Sequence, residues 1–118
     1  MTNALHTLSQ IEVAPELDEA WPGTVVSGDP HTRTWNQYSS ADGQMHAGEW
    51  ESTPGVWRID YDAWEYCRLV AGHCTIALDG KPPVELRAGD VFVIERGARG
   101  TWTVHETIHK QYVFALDR

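Results

Sequence analysis

The sequence predicts an all-β sandwich or barrel, and three observations predict it. From Arg33 onward, short runs rich in Val, Ile, Thr, Trp and Tyr occur with no helical period between them. Clusters of turn-forming residues bound those runs, "ADGQ", "STPG", "AGH", "DGKPP", "RAGD" and "ERGARG"; they recur at intervals of about ten residues, the spacing of strands in sandwiches and barrels. Several runs alternate apolar with polar residues, the pattern of a strand with one buried face. With 118 residues the chain can build one core but not two ordinary ones, so one domain is expected.

Taken in order, residues 1–32 read as an N-terminal arm or cover and residues 33–118 as the main domain. In the arm, "APELDEAW" suits a short helix opened by Pro15, and "WPGTVVSGDPHT" is crowded with breakers. Between Trp64 and Ala71, alternation puts Glu65, Cys67, Leu69 and Ala71 on one face and Trp64, Tyr66, Arg68 and Val70 on the other. The carboxylate thus shares the smaller, more uniformly apolar face. Cys74, Ile76 and Leu78 fall together just before Asp79-Gly80, a hairpin signal. "VFVI", residues 91–94, is apolar on both faces and reads as a central strand. In the last run Lys110, Tyr112, Phe114 and Leu116 alternate with His109, Gln111, Val113 and Ala115. A lysine therefore sits on an aromatic face.

Composition excludes several classes of function. Seventeen acidic against nine basic residues leave a formal charge of -8, which repels phosphate backbones and argues against a nucleic-acid partner. There is no apolar run of bilayer length and no basic leader followed by an apolar stretch, so no membrane partner and a cytoplasmic location are expected. Cys67 and Cys74 are the two cysteines; they are too few for a disulfide framework and form no CxxC pair.

In order along the chain, "GEWESTPGVWRIDY", "EYCRLVAG", "LDG", "LRAGDVFVIERGARGTWTVHE" and "HKQYVF" resemble the cupins, in particular the small single-domain group related to the cupin domain of (S)-ureidoglycine aminohydrolase. The likeness runs from about Trp35 to Phe114. It implies a double-stranded β-helix of jelly-roll type closing around a pocket, and a homodimer. It also implies where a metal would be held, and there the sequence departs from the family. Two histidines and a glutamate of the first metal motif fall on Ile59, Tyr61 and Glu65, and the histidine of the second falls on Gly100. The glutamate, two histidines and glutamine of the ureidoglycine enzyme fall on the same four positions. Only Glu65 remains, and a lone carboxylate is a poor transition-metal site. No metal or other cofactor is expected, unless His46 or His105 reaches the pocket to join Glu65 and Cys67.

The candidate catalytic residues are therefore Glu65 and Lys110, each on the apolar face of its strand. Burying either charge alone is costly, whereas a hydrogen-bonded pair is tolerated. Two readings stay open: a general acid/base couple or clamp for a small polar ligand, and a structural ion pair or a lysine that snorkels to the rim. Tyr61, Cys67, Trp102 and Tyr112 are the candidate ligand-binding residues. Cys67 reads as inert packing beside a carboxylate that disfavours its thiolate, and Trp102 as a ring filling the space of the missing histidine. The functions in play are acid/base chemistry on a small metabolite, metal-free binding or sensing of a small molecule, and, least supported by these residues, a metal-dependent aminohydrolase.

Overall fold

The computed structural model describes residues 4–19 and 23–116. Within them lie nine strands: β1 (Glu16–Leu17), β2 (Gly23–Gly28), β3 (Thr32–Ser39), β4 (Met45–Ser52), β5 (Gly55–Asp60), β6 (Trp64–Leu78), β7 (Val84–Arg87), β8 (Val91–Ile94) and β9 (Arg99–Ala115). Every pairing is antiparallel. The fold is all-β, as the turn spacing predicts, and has the form of a jelly roll. No helix among the described residues is long and apolar enough to cross a membrane.

Two long strands organise the rest. β6 and β9 pair from Trp64↔Ala115 to Leu78↔Gly100, and each serves two layers. One layer runs β1-β3-β4, then the C-terminal half of β9, the N-terminal half of β6, and β8. The other runs β2-β5, then the N-terminal half of β9, the C-terminal half of β6, and β7. The change of layer falls at register shifts between Leu69 and Cys74. Gly72 makes the bend possible: its φ is +91°, and a Cβ there would stand 2.2 Å from the Thr107 carbonyl oxygen. Only glycine combines that backbone conformation with that approach.

The alternation read for β6 holds as far as Leu69. Glu65, Cys67 and Leu69 are buried while Trp64, Tyr66, Arg68 and Val70 are exposed; Ala71 is exposed because the bend begins there. Trp50, Leu69 and Tyr112 of the first layer meet Trp57, Ile59, Ile76, Trp102 and Val104 of the second in one core. The Trp50 and Trp102 rings touch across it at 5.9 Å.

Two expectations need correction. The helix expected from Pro15 is not formed: Glu16 and Leu17 pair with Thr34 and Arg33 as β1, and the one helical turn described nearby is the 3-10 turn Leu8–Gln10. Asp18 takes φ +56°, and its backbone N–H donates to Thr32 O at 2.9 Å, which ends any helical path. Ala20 and Trp21 of that run lie outside the described residues. Strand β8, expected to be central, pairs with β6 alone, leaving Val91 and Val93 53% and 48% exposed.

Candidate functional site

The inward face of the first layer carries the chemistry. Lys110 lies opposite Trp50 of β4 and Leu69 of β6, and Glu65 is the second residue of β6. Alternation turns both inward, and Lys110 Nζ donates to Glu65 Oε2 at 2.9 Å. The other carboxylate oxygen, Oε1, accepts from the Tyr61 hydroxyl at 2.7 Å. Tyr61 is held from behind, where its N–H donates to Ala98 O and its carbonyl accepts from Gly97 N.

Lys110 Nζ also lies 4.7 Å from the ring centroids of both Trp50 and Trp102, so two indole faces and a carboxylate surround the ammonium. Burial, the largest single influence, works against that charge. Glu65, in direct hydrogen-bond contact, opposes it, and Lys110 is held above its ordinary value. Burial, reinforced by Glu65, raises the Tyr61 phenol well above the usual range. Burial likewise pushes the Cys67 thiol far up, so Cys67 is a neutral thiol near neutral pH and Glu65 is the counter-charge of Lys110.

The pair forms the base of a cavity of about 530 Å³. Trp50, Tyr112 and Phe114 supply aromatic walls; Thr34, Asn36 and His46 are polar; Val13, Ala14, Glu16 and Glu19 close it from the N-terminal segment. Of the residues expected at the site, Glu65, Lys110 and Tyr112 line this cavity. Tyr61, Cys67 and Trp102 do not: they are buried behind it, at 1%, 0% and 0% exposed. Tyr61 orients the carboxylate, Trp102 packs on the ammonium, and Cys67 fills space.

The wall opposite is wired in one direction. The Tyr112 hydroxyl donates to Asn36 Oδ1 at 2.9 Å, and Asn36 Nδ2 donates to Ser39 Oγ at 2.8 Å. Ser39 Oγ lies 2.8 Å from His46 Nδ1, and His46 Nε2 lies 3.0 Å from Gly43 O. A carbonyl only accepts, so Nε2 carries the hydrogen and Ser39 donates to Nδ1. Gly48 leaves room for this wall, since a Cβ there would lie 2.9 Å from the Tyr112 hydroxyl and 2.0 Å from Trp35 O. Burial first, then Glu19, Glu65 and Glu16, raises the Tyr112 phenol. The chain-order reading missed Asn36, Ser39, Trp50 and the two arm glutamates. The available signal was Thr34 and Asn36 on one face of a strand that faces the interior.

The residues present do not fit a cupin metal. Ile59 and Gly100 oppose each other across β5 and β9, and a Cβ on Gly100 would lie 2.2 Å from Ala77 O. A histidine cannot stand there. Among the described residues no group of three His, Cys, Asp or Glu side chains could hold a metal. His46 has both ring nitrogens engaged, and His105 hydrogen-bonds Thr75 Oγ1 and packs on His73 at 4.6 Å. Neither joins Glu65, and no chemistry is routed here through a metal. A second, more apolar cavity of about 600 Å³, lined by Leu78, Leu86, Phe92 and Ile94 among others, lies apart from the ion pair.

Fold and site together define a cupin with a buried Lys110–Glu65 ion pair lining its cavity. The chain belongs to the EutQ-like cupin domain family, whose model matches residues 39–112. Among solved structures it is similar to a DUF861-family protein of unknown function from Pseudomonas syringae pv. tomato, with 22% identity and a TM-score of 0.72. That likeness covers 87% of this chain and 43% of the other, so the chain spans less than half of the Pseudomonas protein. It is also similar to the EutQ protein of Clostridium difficile, with 17% identity, a TM-score of 0.65 and coverage of 76% and 72%. The putative ethanolamine utilization protein of Salmonella typhimurium gives 18%, 0.64, 74% and 71%. No curated protein matches the chain.

Proposed function

We propose that this cupin binds a small polar molecule in the cavity above Glu65 and Lys110, without a transition metal. The observation that carries the reading is a buried ammonium and carboxylate, 2.9 Å apart, at the base of a roughly 530 Å³ opening walled by aromatic rings and hydrogen-bonding side chains. Such a combination of apolar lining and a few convergent polar groups is the usual form of a small-molecule site. Binding is favoured over acid/base turnover because both groups are committed: Lys110 is held protonated, and both Glu65 oxygens already accept hydrogen bonds. A group that takes or gives protons during a reaction needs a pKa near the working pH. The relationship to the ureidoglycine aminohydrolase group belongs with this proposal and rests on the sequence motifs alone.

The test is a screen of small polar compounds against the purified protein, followed by NMR of the indole and phenol signals. Saturable shifts at Trp50 and Tyr112 that disappear in Lys110→Met support the reading. Binders that leave those signals unmoved, or near-stoichiometric zinc, manganese or iron by elemental analysis after metal-free purification, overturn it.

The implied homodimer has a candidate surface. Trp64, Tyr66, Val91 and Val93 lie on the outward face of β6 and β8, each between 37% and 53% exposed, with Arg68 paired to Val91 on the same face, and exposed apolar side chains grouped in this way suit self-association.

A further inference from the structure

The cavity above the ion pair is nearly shut at its floor. Trp50, Glu65 and Lys110 line it, yet each is 1% exposed. A molecule that is to touch the ammonium or the carboxylate therefore needs a wall to move.

The walls differ in how they are held. Most of the lining stands on β3, β4, β9 and β6, which are joined side by side by continuous strand pairing. Displacing any of them breaks a ladder of backbone hydrogen bonds. Val13, Ala14, Glu16 and Glu19 stand instead on the segment 4–19, in which no residue is buried. As strand β1 it pairs with β3 at two positions, Glu16↔Thr34 and Leu17↔Arg33. Asp18 N–H donates to Thr32 O at 2.9 Å, and Asp18 Oδ1 accepts from Thr32 N–H at 3.2 Å. Further back, Gln37 Nε2 donates to Ile11 O at 3.4 Å, and the His6 and Tyr38 rings lie 5.1 Å apart. These contacts fall on one strand, so parting from β3 releases them together. Segments that bury little and rest on a few exposed hydrogen bonds open at low free energy.

We propose that residues 4–19 form a flap that peels away from β3 and gives a small molecule access to Glu65 and Lys110. The structure is the closed form. This rests on the reading of the cavity as a ligand site and adds its gate.

Hydrogen exchange of the full chain tests the opening. The Asp18 amide is expected to exchange at least about a hundredfold faster than the Tyr61 amide, which donates to Ala98 O in the interior. Equal rates overturn the flap, since it then opens only when the whole domain unfolds. A disulfide tests the gating. Asp18 and Thr32 are joined by a ladder-type hydrogen bond, so the next pair, Leu17 and Arg33, has none and brings its Cα atoms to about 4.5 Å, within disulfide range. The reporter is Phe114→Cys on the cavity wall, because the native cysteines are buried. Alkylation of this thiol by iodoacetamide is followed by mass spectrometry in two chains, one carrying oxidised Leu17→Cys/Arg33→Cys and one carrying Leu17→Ser/Arg33→Ser. The tied chain should react at least about tenfold more slowly. Equal rates in the two chains, or no reaction in the untied one, overturn the gate. Should Phe114→Cys not fold, the exchange rates of the wild-type chain still decide. Neither measurement uses a ligand, so their failure leaves the cavity reading standing, and failure of the compound screen leaves these rates unchanged.

Discussion

Lys110 Nζ lies 2.9 Å from Glu65 Oε2, and both side chains are 1% exposed. Removing one member leaves the other charge buried without its partner, which costs about 3–5 kcal/mol in comparable cases. Lys110→Met is expected to lose stability of that order in denaturant unfolding, and Glu65→Gln somewhat less because an amide still accepts from Tyr61. The double variant should lose less than the sum of the two. Strict additivity would show that the pair is not coupled.

Both cysteines should be silent towards thiol reagents in the folded protein. Burial raises Cys67 far above its ordinary range and Cys74 to about 11, and both are 0% exposed. A chromogenic disulfide reagent at neutral pH is expected to react only after denaturant is added. Fast labelling of either thiol in the native state contradicts the described packing.

Gly72 and Gly80 separate steric from conformational cost. Both have positive φ, but a Cβ on Gly72 meets Thr107 O at 2.2 Å whereas one on Gly80 meets nothing within 4 Å. Gly80→Ala should cost about 1 kcal/mol, the ordinary penalty for a left-handed alanine. Gly72→Ala is expected to cost clearly more, because backbone must move, and its thermal midpoint should fall further. Equal midpoints would show that the strand bend tolerates a side chain.

The loop between β2 and β3 carries a pH dependence. His31 Nδ1 lies 3.1 Å from Asp18 and Nε2 3.3 Å from Asp29; its pKa is raised first by the hydrogen bond to Asp18, then by that to Asp29. A raised folded-state pKa means that the protonated histidine favours the folded form. That contribution is complete below the ordinary value of 6.5 and is lost as the pH rises through the raised value. The gap in thermal midpoint between wild type and His31→Ala should therefore be widest below pH 6.5 and narrow as the pH rises through the raised value. The groups are exposed, so the gap is small and shrinks in salt.

If the outward face of β6 and β8 joins two copies, charges placed there will separate them. Tyr66→Lys with Val93→Glu puts opposite charges on directly paired residues, which keeps the sheet intact while making the face polar. Sedimentation should change from two chains to one. A wild-type protein that sediments as one chain rules out the pairing at this surface.

Much of the site was legible because strand alternation depends only on local geometry. Glu65 and Lys110 turn inward for the same reason that Leu69 and Tyr112 do, and a buried charge on an apolar face demands a partner. The absence of the metal ligands was equally plain, since Ile59 and Gly100 carry no donors. The N-terminal segment misled because propensity there is weak, and pairing with β3 outweighed the helix-opening proline. "VFVI" misled because an edge strand that leaves Val91 and Val93 exposed and a central strand buried on both faces have the same composition.

By itself, the sequence determined the all-β class, the inward face of β6 and β9, and that Ile59 and Gly100 carry no metal-ligating side chain. Those follow from the period of two along a strand and from side-chain chemistry. Only the tertiary structure decided that Lys110 faces Glu65, that Tyr112, Asn36, Ser39 and His46 form one hydrogen-bonded chain, and that Glu16 and Glu19 line the cavity. Each joins residues far apart in the chain, through the register of strands and the path of a segment whose local preferences do not specify where it packs.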